Sequence, residues 1–435
     1  MKSILIFLVI FGILVFVHEF GHFFVGKKCG ILVREFSIGM GPKLFQVMKK
    51  KTTYTIRWLP IGGYVRFAGP DDIAKIDPGA TVVLQFNDNG EVVRIDNSGS
   101  QMPISGIPVQ VIESDLVNRL IIRGYKNGDE NENITYSVNH DATIIEKNGS
   151  ELIIAPEDTQ FQNAKVLKKI ASNVAGPLMN IILGFIVFIG LSISGPGAPT
   201  TIINKTIDNS PAQRIGLKNG DQVKEIEHQK VSQLEDISKI IAEYKGKKVE
   251  VVVLRNNSYR KFKIKPMKVV DNGQTLYQLG FICKLDNNLF SKLSHGCKTS
   301  LRTMGLIFNA LSSLIRHFSL DKLSGPVGIY SQTRKMSDLG FAYVVTFLAM
   351  ISINLGIVNL LPIPGLDGGK LLLNVVELVT GKPLSPEKEE LVNIIGFVFL
   401  LILIIAVTGN DIYRFFIKWL FGGKYASIYF IYTNS

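Results

Sequence analysis

His18-Glu19-Phe20-Gly21-His22 is an HExxH pattern. On a helix, positions i and i+4 lie one turn apart on the same face. Two imidazoles so placed can bind one zinc ion, and Glu19, one position on, can take a proton from the water activated there. The pattern also arises by accident, and a polar cluster joining helices is the plain alternative. Location weighs against it, because these residues sit inside the apolar run from Ile4 to Val25, where ionisable side chains are costly and usually functional. Catalytic zinc takes three protein ligands as a rule, so a third must come from elsewhere. The best candidate is Asp367, in Asn359-Leu360-Leu361-Pro362-Ile363-Pro364-Gly365-Leu366-Asp367-Gly368-Gly369. Asp367 could instead cap a helix starting near Lys370, and capping can coexist with a neighbouring role. The amides of Asn354 and Asn359 could orient a substrate backbone or donate to a developing oxyanion; hydrogen bonding between helices competes equally. Gly176, Pro177 and Asn180 read as close packing beside the site.

These residues need elements that bring them to one depth. Four apolar runs are long enough to cross a bilayer, which takes about 20 residues: Ile4 to Val25, Ile170 to Ile193, Phe341 to Leu361 and Leu391 to Val407. The first could be a signal peptide, but it continues past His18 and no small-x-small cleavage site follows. Lys27, Lys28 and Arg34 follow it, and Lys165, Lys168 and Lys169 precede the second run. Basic flanks favour the cytosol, so residues 27–169 are expected inside, with the N-terminus, residues 195–340 and the tail outside. Arg414, Lys418 and Lys424 run mildly against this. The first and third spans then both run inward, with the histidines near the inner end of one and Asp367 just beyond the other. Pro362 and Pro364 break the helix there, and Gly368 and Gly369 permit tight turns. Irregular backbone at that depth is tolerated only around a polar cavity or inside protein.

Composition agrees with a membrane protein carrying soluble inserts. Of 435 residues, 46% are hydrophobic and the formal net charge is +12. Residues 71–160 nevertheless carry 16 acidic against 6 basic residues, which argues against a uniformly basic nucleic-acid binder. Cys29, Cys283 and Cys297 form no CxxC pair, so neither a thiolate zinc site nor a disulfide framework is implied. A Cys283–Cys297 bridge is possible in principle, but buried or idle thiols are the simpler reading.

The expected divisions are 1–26 (first span, with HExxH), 27–69 (cytosolic membrane-associated hairpin region), 70–164 (acidic, β-rich cytosolic insert), 165–194 (second span), 195–270 (extracytoplasmic PDZ domain), 271–340 (amphipathic linker), 341–380 (third span with LDG), 391–416 (fourth span) and 417–435 (tail). Within 49–69, alternation around a Pro-x-Gly-Gly break predicts a β-hairpin close to the membrane. Short β-like runs at Thr81–Phe86, Val109–Ile112 and Leu120–Arg123 fill the insert, in which no chemistry is visible. Ser210-Pro211-Ala212 through Gly220-Asp221, a helix at Leu234–Tyr244 and a strand at Lys248–Arg255 resemble a PDZ domain of the bacterial protease type, a fold that holds extended peptides at a sheet edge; any small αβ domain with a Gly-Asp turn is the alternative. Leu301–Phe318 is amphipathic, suited to the membrane surface or to packing against the spans.

With these motifs in place, the chain resembles the site-2 protease family of intramembrane zinc metalloproteases, and most closely its RseP/RasP group. HExxH at His18–His22 and the NxxPxPxLDG segment at Asn359–Gly368 carry the resemblance, supported by RWLPIGGYVRF, AGPLMN, GLKNGD and SGPVGI. The resemblance implies a polytopic α-helical membrane protein with four transmembrane helices, a membrane-associated β-hairpin, a mostly β cytosolic insert and an extracytoplasmic PDZ domain. It implies that His18, His22 and Asp367 hold zinc, that Glu19 is the general base, and that Asn359 positions or polarises the scissile peptide. It also implies that the stretch at 49–69 pairs with an unwound substrate helix and that the PDZ domain filters by size. The substrates implied are single-span membrane proteins such as anti-sigma factors and remnant signal peptides, shortened first by an upstream site-1 protease. One departure is plain: the regulator of sigma-E protease carries two PDZ domains where this chain shows one, together with the acidic insert of the Gram-positive, RasP-type members. That puts a two-domain size filter in doubt. The rival functions are a membrane scaffold with a structural metal, which would want a fourth protein ligand, and a zinc transporter, which would need acidic and His sites across all the spans.

Overall fold

The computed structural model describes residues 2–49, 51–69, 75–99, 105–147, 149–271 and 274–414; the expected tail, 417–435, lies outside them. The chain divides into two units, one of residues 1–183 with 319–411 and one centred on 184–318.

In the first unit, α1 (Lys2–Lys28) is an unbroken apolar helix. It leads into β1 (Val33–Lys49) and β2 (Thr52–Phe67), which pair with each other. Residues 35–38 pair on one side with 63–66 and on the other with 53–56, while 43–49 pair with 52–57. Two long strands therefore make a sheet four rows wide, with residues 63–67 as one edge. This corrects the expected hairpin at 49–69. The hairpin starts at Val33 and turns between Lys49 and Thr52, and the Pro-x-Gly-Gly break is the bend that carries β2 from one side of β1 to the other. Gly62, at φ 81°, supplies that bend. Arg57 ties the rows together, donating to Ser37 Oγ (3.0 Å), the Gly41 carbonyl (2.9 Å), Tyr64 Oη (2.7 Å) and Glu35 (3.2 Å). Burial opposes charge on Glu35, but the bonds from Thr55, Tyr64 and Arg57 outweigh it and hold its pKa below the usual range. Phe36 sits edge-on to Phe16 and Phe23 of α1 at 6.1 and 5.1 Å, which seats the sheet on that helix. Leu44, Phe45, Trp58 and Leu59 point outward and are exposed.

The insert comprises β3 (Thr81–Phe86), β4 (Val92–Asp96), β5 (Ile107–Asp115), β6 (Ile121–Lys126), β7 (Asn133–Ile145) and β8 (Glu151–Ile153). Strand order β4-β3-β5-β6-β7, with a parallel β4–β7 pairing that returns to the start, closes a five-stranded barrel. Val82, Leu84, Val109, Ile122 and Ile144 fill it. Arg34, expected as part of the basic cytosolic flank of the first span, is buried and donates to the Ile153 carbonyl.

Next, α2 (Val166–Ser194) carries Pro177 inside it. The second unit then contains β9 (Ala198–Thr206), α3 (Pro211–Arg214), β10 (Gln222–Ile226), β11 (Gln229–Lys230), α4 (Leu234–Glu243), β12 (Val249–Arg255), β13 (Ser258–Ile264), β14 (Met267–Asp271), β15 (Gln274–Gln278), β16 (Phe281–Asp286) and α5 (Leu289–Arg316). Ser210 caps α3 through the Gln213 N–H. Ile237, Ile240 and Ile241 turn one face of α4 into the core. The sheet order is β13-β12-β10-β9-β16. The expected PDZ boundary at 270 falls short, because β16 completes the sheet by pairing with β9, a long-range contact no local pattern announces. Cys29, Cys283 and Cys297 are free thiols; Cys283 is buried, and burial pushes its pKa up to about 11. The expected linker is likewise largely helix, since α5 begins at Leu289.

Back in the first unit come α6 (Pro326–Leu339), α7 (Phe341–Asn359), α8 (Asp367–Thr380) and α9 (Pro386–Ile412). Asp411 Oδ2 accepts the N–H groups of Gly325 and Gly328 at 2.8 Å each, capping α6 from another helix. This gives the SGPVGI motif a structural reason. The division expected at 341–380 is two helices, separated at Leu360–Leu366 around the two prolines expected to break the chain. Helices α1, α2, α7 and α9 are long and apolar enough to cross a membrane.

Candidate metal centre

Two helices bring three donors to one point, α1 with His18 and His22 and α8 with Asp367. His18 Nε2 lies 3.0 Å from Asp367 Oδ2, His22 Nε2 lies 3.2 Å from the same oxygen, and the two imidazole nitrogens are 3.3 Å apart. A tetrahedral zinc ion with bonds of about 2.0–2.1 Å separates its ligand atoms by about 3.3 Å. The observed triangle is within a few tenths of that, and two imidazoles with a carboxylate form a catalytic zinc donor set. Among the described residues this is the one group of three His, Cys, Asp or Glu with donor atoms within 4.8 Å of one another. The three side chains are 13%, 9% and 15% exposed.

The histidines come to this point because α1 and α2 touch closely. A Cβ built at Gly21 would lie 2.5 Å from the Ala175 carbonyl oxygen, and one at Gly176 would overlap the His22 ring, 2.6 Å from Cδ2. Only glycine permits such an approach. The close packing expected at Gly176 is therefore close packing onto a site residue. His22 Nδ1 is 2.8 Å from the Ser172 carbonyl. A carbonyl only accepts, so Nδ1 carries the proton and Nε2 presents its lone pair to the centre. Asn180, fully buried, lies 3.3 Å from His18 Nδ1.

Asp367 arrives by way of α7, which packs on α2: Ser352 Oγ donates to the Asn180 carbonyl at 2.7 Å. After Asn359 the chain breaks, with Gly365 at φ 91°, and α8 starts at Asp367 itself. The cap position belongs to Leu366 and there is no side-chain cap bond, so the Asp367 carboxylate is free to face the histidines. Two contacts then pin α8 to α2. Asn173 Nδ2 donates to Asn374 Oδ1 at 2.7 Å, and Lys169 pairs with Glu377 at 2.8 Å, their side chains 5% and 13% exposed. Lys169, counted by the sequence as part of the basic flank of the second span, is thus a buried strut.

Glu19 is half-buried and makes no hydrogen bond or ion pair among the described residues. A Cβ at Gly63, on the edge row of the small sheet, would lie 2.9 Å from Glu19 Cγ and 3.0 Å from Val15 Cγ1. The sheet edge therefore passes directly beside the expected base. Asn359 ends α7 half-buried, and its side chain makes no hydrogen bond among the described residues. Asn354 is exposed. The structure brings neither amide into bonding contact with the three donors. Sequence reasoning missed Lys169, Ser172 and Asn173. The available signal was spacing: 169, 173, 176 and 180 recur at helical intervals and mark one polar or glycine-bearing face of an apolar helix.

The donor set and its depth between apolar helices point to an intramembrane hydrolase, and comparison with known proteins decides the family. The model of peptidase family M50 matches residues 6–403. The chain belongs to that family, the site-2 proteases. It is 48% identical over 423 residues to "Probable protease eep" of Enterococcus faecalis, covering 96% of this chain and all of the relative. It is 38% identical over 420 residues to the regulator of sigma-W protease RasP of Bacillus subtilis, covering 96% and 99%. A Lactococcus lactis relative named as a zinc metalloprotease is 41% identical over 433 residues, covering 96% of this chain and all of the relative. The chain is accordingly a multi-pass zinc metalloprotease. The PDZ domain of an SdrC-like protein from Listeria monocytogenes aligns with 21% of this chain and 90% of its own, at 18% identity and a TM-score of 0.17.

Proposed function

We propose that the protein performs site-2 cleavage of single-span membrane proteins, with His18, His22 and Asp367 as zinc ligands and Glu19 as general base. The observation that carries this reading is the 3.0–3.3 Å triangle of donor atoms beside an unpaired Glu19. His18, His22 and Asp367 would hold a zinc ion there, which would supply Lewis acidity and make water easier to deprotonate near neutral pH. Glu19 takes the proton of the attacking water and returns it to the leaving amine. The edge row of the small sheet pairs with β1 and passes beside Glu19, and a substrate strand added along it lies extended across the base. That addition answers a physical need, since a helical backbone is internally bonded and sterically screened. Asn359 would meet the scissile carbonyl only once substrate is in place.

The orientation rests on Lys27, Lys28, Lys165 and Lys168, which put the barrel and small sheet in the cytosol and the PDZ domain outside. RasP regulates sigma-W by its name, which favours anti-sigma factors as substrates. Remnant signal peptides suit the same single-span geometry. An upstream site-1 protease would shorten the substrate so that its stump passes the PDZ domain. The test is cleavage of a single-span protein by the purified chain in a bilayer, with the cut mapped by mass spectrometry. A cut inside the apolar segment, lost in Asp367→Ala, is expected. A cut outside it, or one indifferent to Asp367→Ala, would overturn the reading.

A further inference from the structure

Helix α2 supplies no metal ligand, yet it touches the outer nitrogen of both ligand imidazoles. For His22 the contact is the Ser172 carbonyl, which fixes the tautomer outright. For His18 the contact is Asn180. Nδ2 of the amide faces His18 Nδ1 at 3.3 Å, while Oδ1 is buried with no hydrogen-bond partner. If His18 presents Nε2 to the centre, its Nδ1 carries the proton, and an NH2 group facing an N–H sets donor against donor. A half-turn of the amide places Oδ1 against Nδ1–H and removes that conflict. Amide oxygen and nitrogen have the same shape, so the hydrogen-bond pattern decides which is which.

We infer that Asn180 is a positioning residue whose amide oxygen accepts the His18 Nδ1 proton and so holds that imidazole with Nε2 toward zinc. The inference rests on the reading of His18 as a ligand. It makes α2 the helix that orients both histidines, Ser172 through its backbone and Asn180 through its side chain. The side-chain role is separable from packing, because the bond from Ser352 goes to the Asn180 backbone carbonyl and survives any substitution of the side chain.

The experiment measures zinc affinity of the full chain in detergent by competition with a chromophoric chelator. The variants are Asn180→Leu, Asn180→Asp and His18→Ala, each with the melting temperature of its zinc-free form. Asn180→Leu removes the acceptor and is expected to bind zinc about 10- to 100-fold more weakly. Asn180→Asp keeps an acceptor oxygen and loses only the NH2, so it should bind zinc at least as well as the parent. Wild-type affinity in Asn180→Leu, with His18→Ala impaired, overturns this inference alone. Loss of zinc by Asn180→Asp overturns it as well, whether or not Asn180→Leu folds. Zinc retained by His18→Ala would overturn the metal-centre reading and this inference with it.

Discussion

Gly176→Ala is the smallest change that should disable the site. The added methyl would sit 2.6 Å from His22 Cδ2 and 2.7 Å from Cε1, closer still to Nε2, where contacts of about 3.5–4 Å are comfortable. Something must move by about 1 Å. If α1 and α2 separate, the Gly21–Ala175 contact opens and overpacking costs about 1–3 kcal/mol. If the ring swings away, the 2.8 Å bond to Ser172 breaks, at about 1 kcal/mol. Either route takes Nε2 out of the donor triangle. Across the two routes, a cost of about 1–3 kcal/mol corresponds to a zinc affinity about 5- to 150-fold weaker, at 1.4 kcal/mol per tenfold. Chelator competition on the purified chain measures this. Gly190→Ala, on the same helix but with nothing within 4 Å of its Cβ, is the control and should bind zinc normally. Unchanged zinc affinity in Gly176→Ala would refute the argument that α2 packs against the ligand itself.

Gly63→Val should leave zinc bound but lower cleavage at least tenfold, because its side chain enters the space between Glu19 and the sheet edge; loss of zinc together with activity would show that the edge does more than receive substrate. Glu377→Gln should leave the buried Lys169 ammonium uncompensated and cost about 3–5 kcal/mol in a melt of the full chain, with partial recovery in the exchange Lys169→Glu/Glu377→Lys. Asp221 supplies the pH test. Burial opposes its charge, but Arg255, at 2.7 Å through two nitrogens, and the Lys218 N–H hold its pKa below the usual range. A depressed carboxylate stabilises the fold above its unfolded pKa of about 3.9 and loses that contribution as pH falls through the folded value. Opening free energies of the β10 and β12 amides, from hydrogen exchange on the full chain, should therefore fall below about pH 4, and Asp221→Asn should flatten that slope.

The parts of this molecule legible in its sequence are those fixed by local spacing. His18 and His22 announce themselves by one helical turn, and the four spans by run length. Asp367 was expected from the depth at which two parallel spans would end. The turn chemistry of the second unit was equally visible from Ser210-Pro211 to Gly220-Asp221, where Gly220 takes positive φ. What stayed hidden depends on partners distant in the chain. Pro60 to Gly63 marks a break, but whether it is a hairpin turn or a bend across β1 is decided by pairing with 35–38. Nothing near Phe281 says that it joins Thr206. Lys169 and Arg34 look like part of the basic flanks because sequence counts charge without showing that Glu377 and the Ile153 carbonyl await them.

The central claim, that a metal held by His18, His22 and Asp367 activates water for Glu19, is tested most directly by one comparison. Purified Glu19→Gln and wild type are assayed side by side on a single-span substrate in detergent, with bound zinc measured in the same samples. The account predicts zinc bound as in wild type and cleavage reduced by about 10²- to 10⁴-fold, the range for loss of a general base. Equal cleavage by both proteins would contradict it.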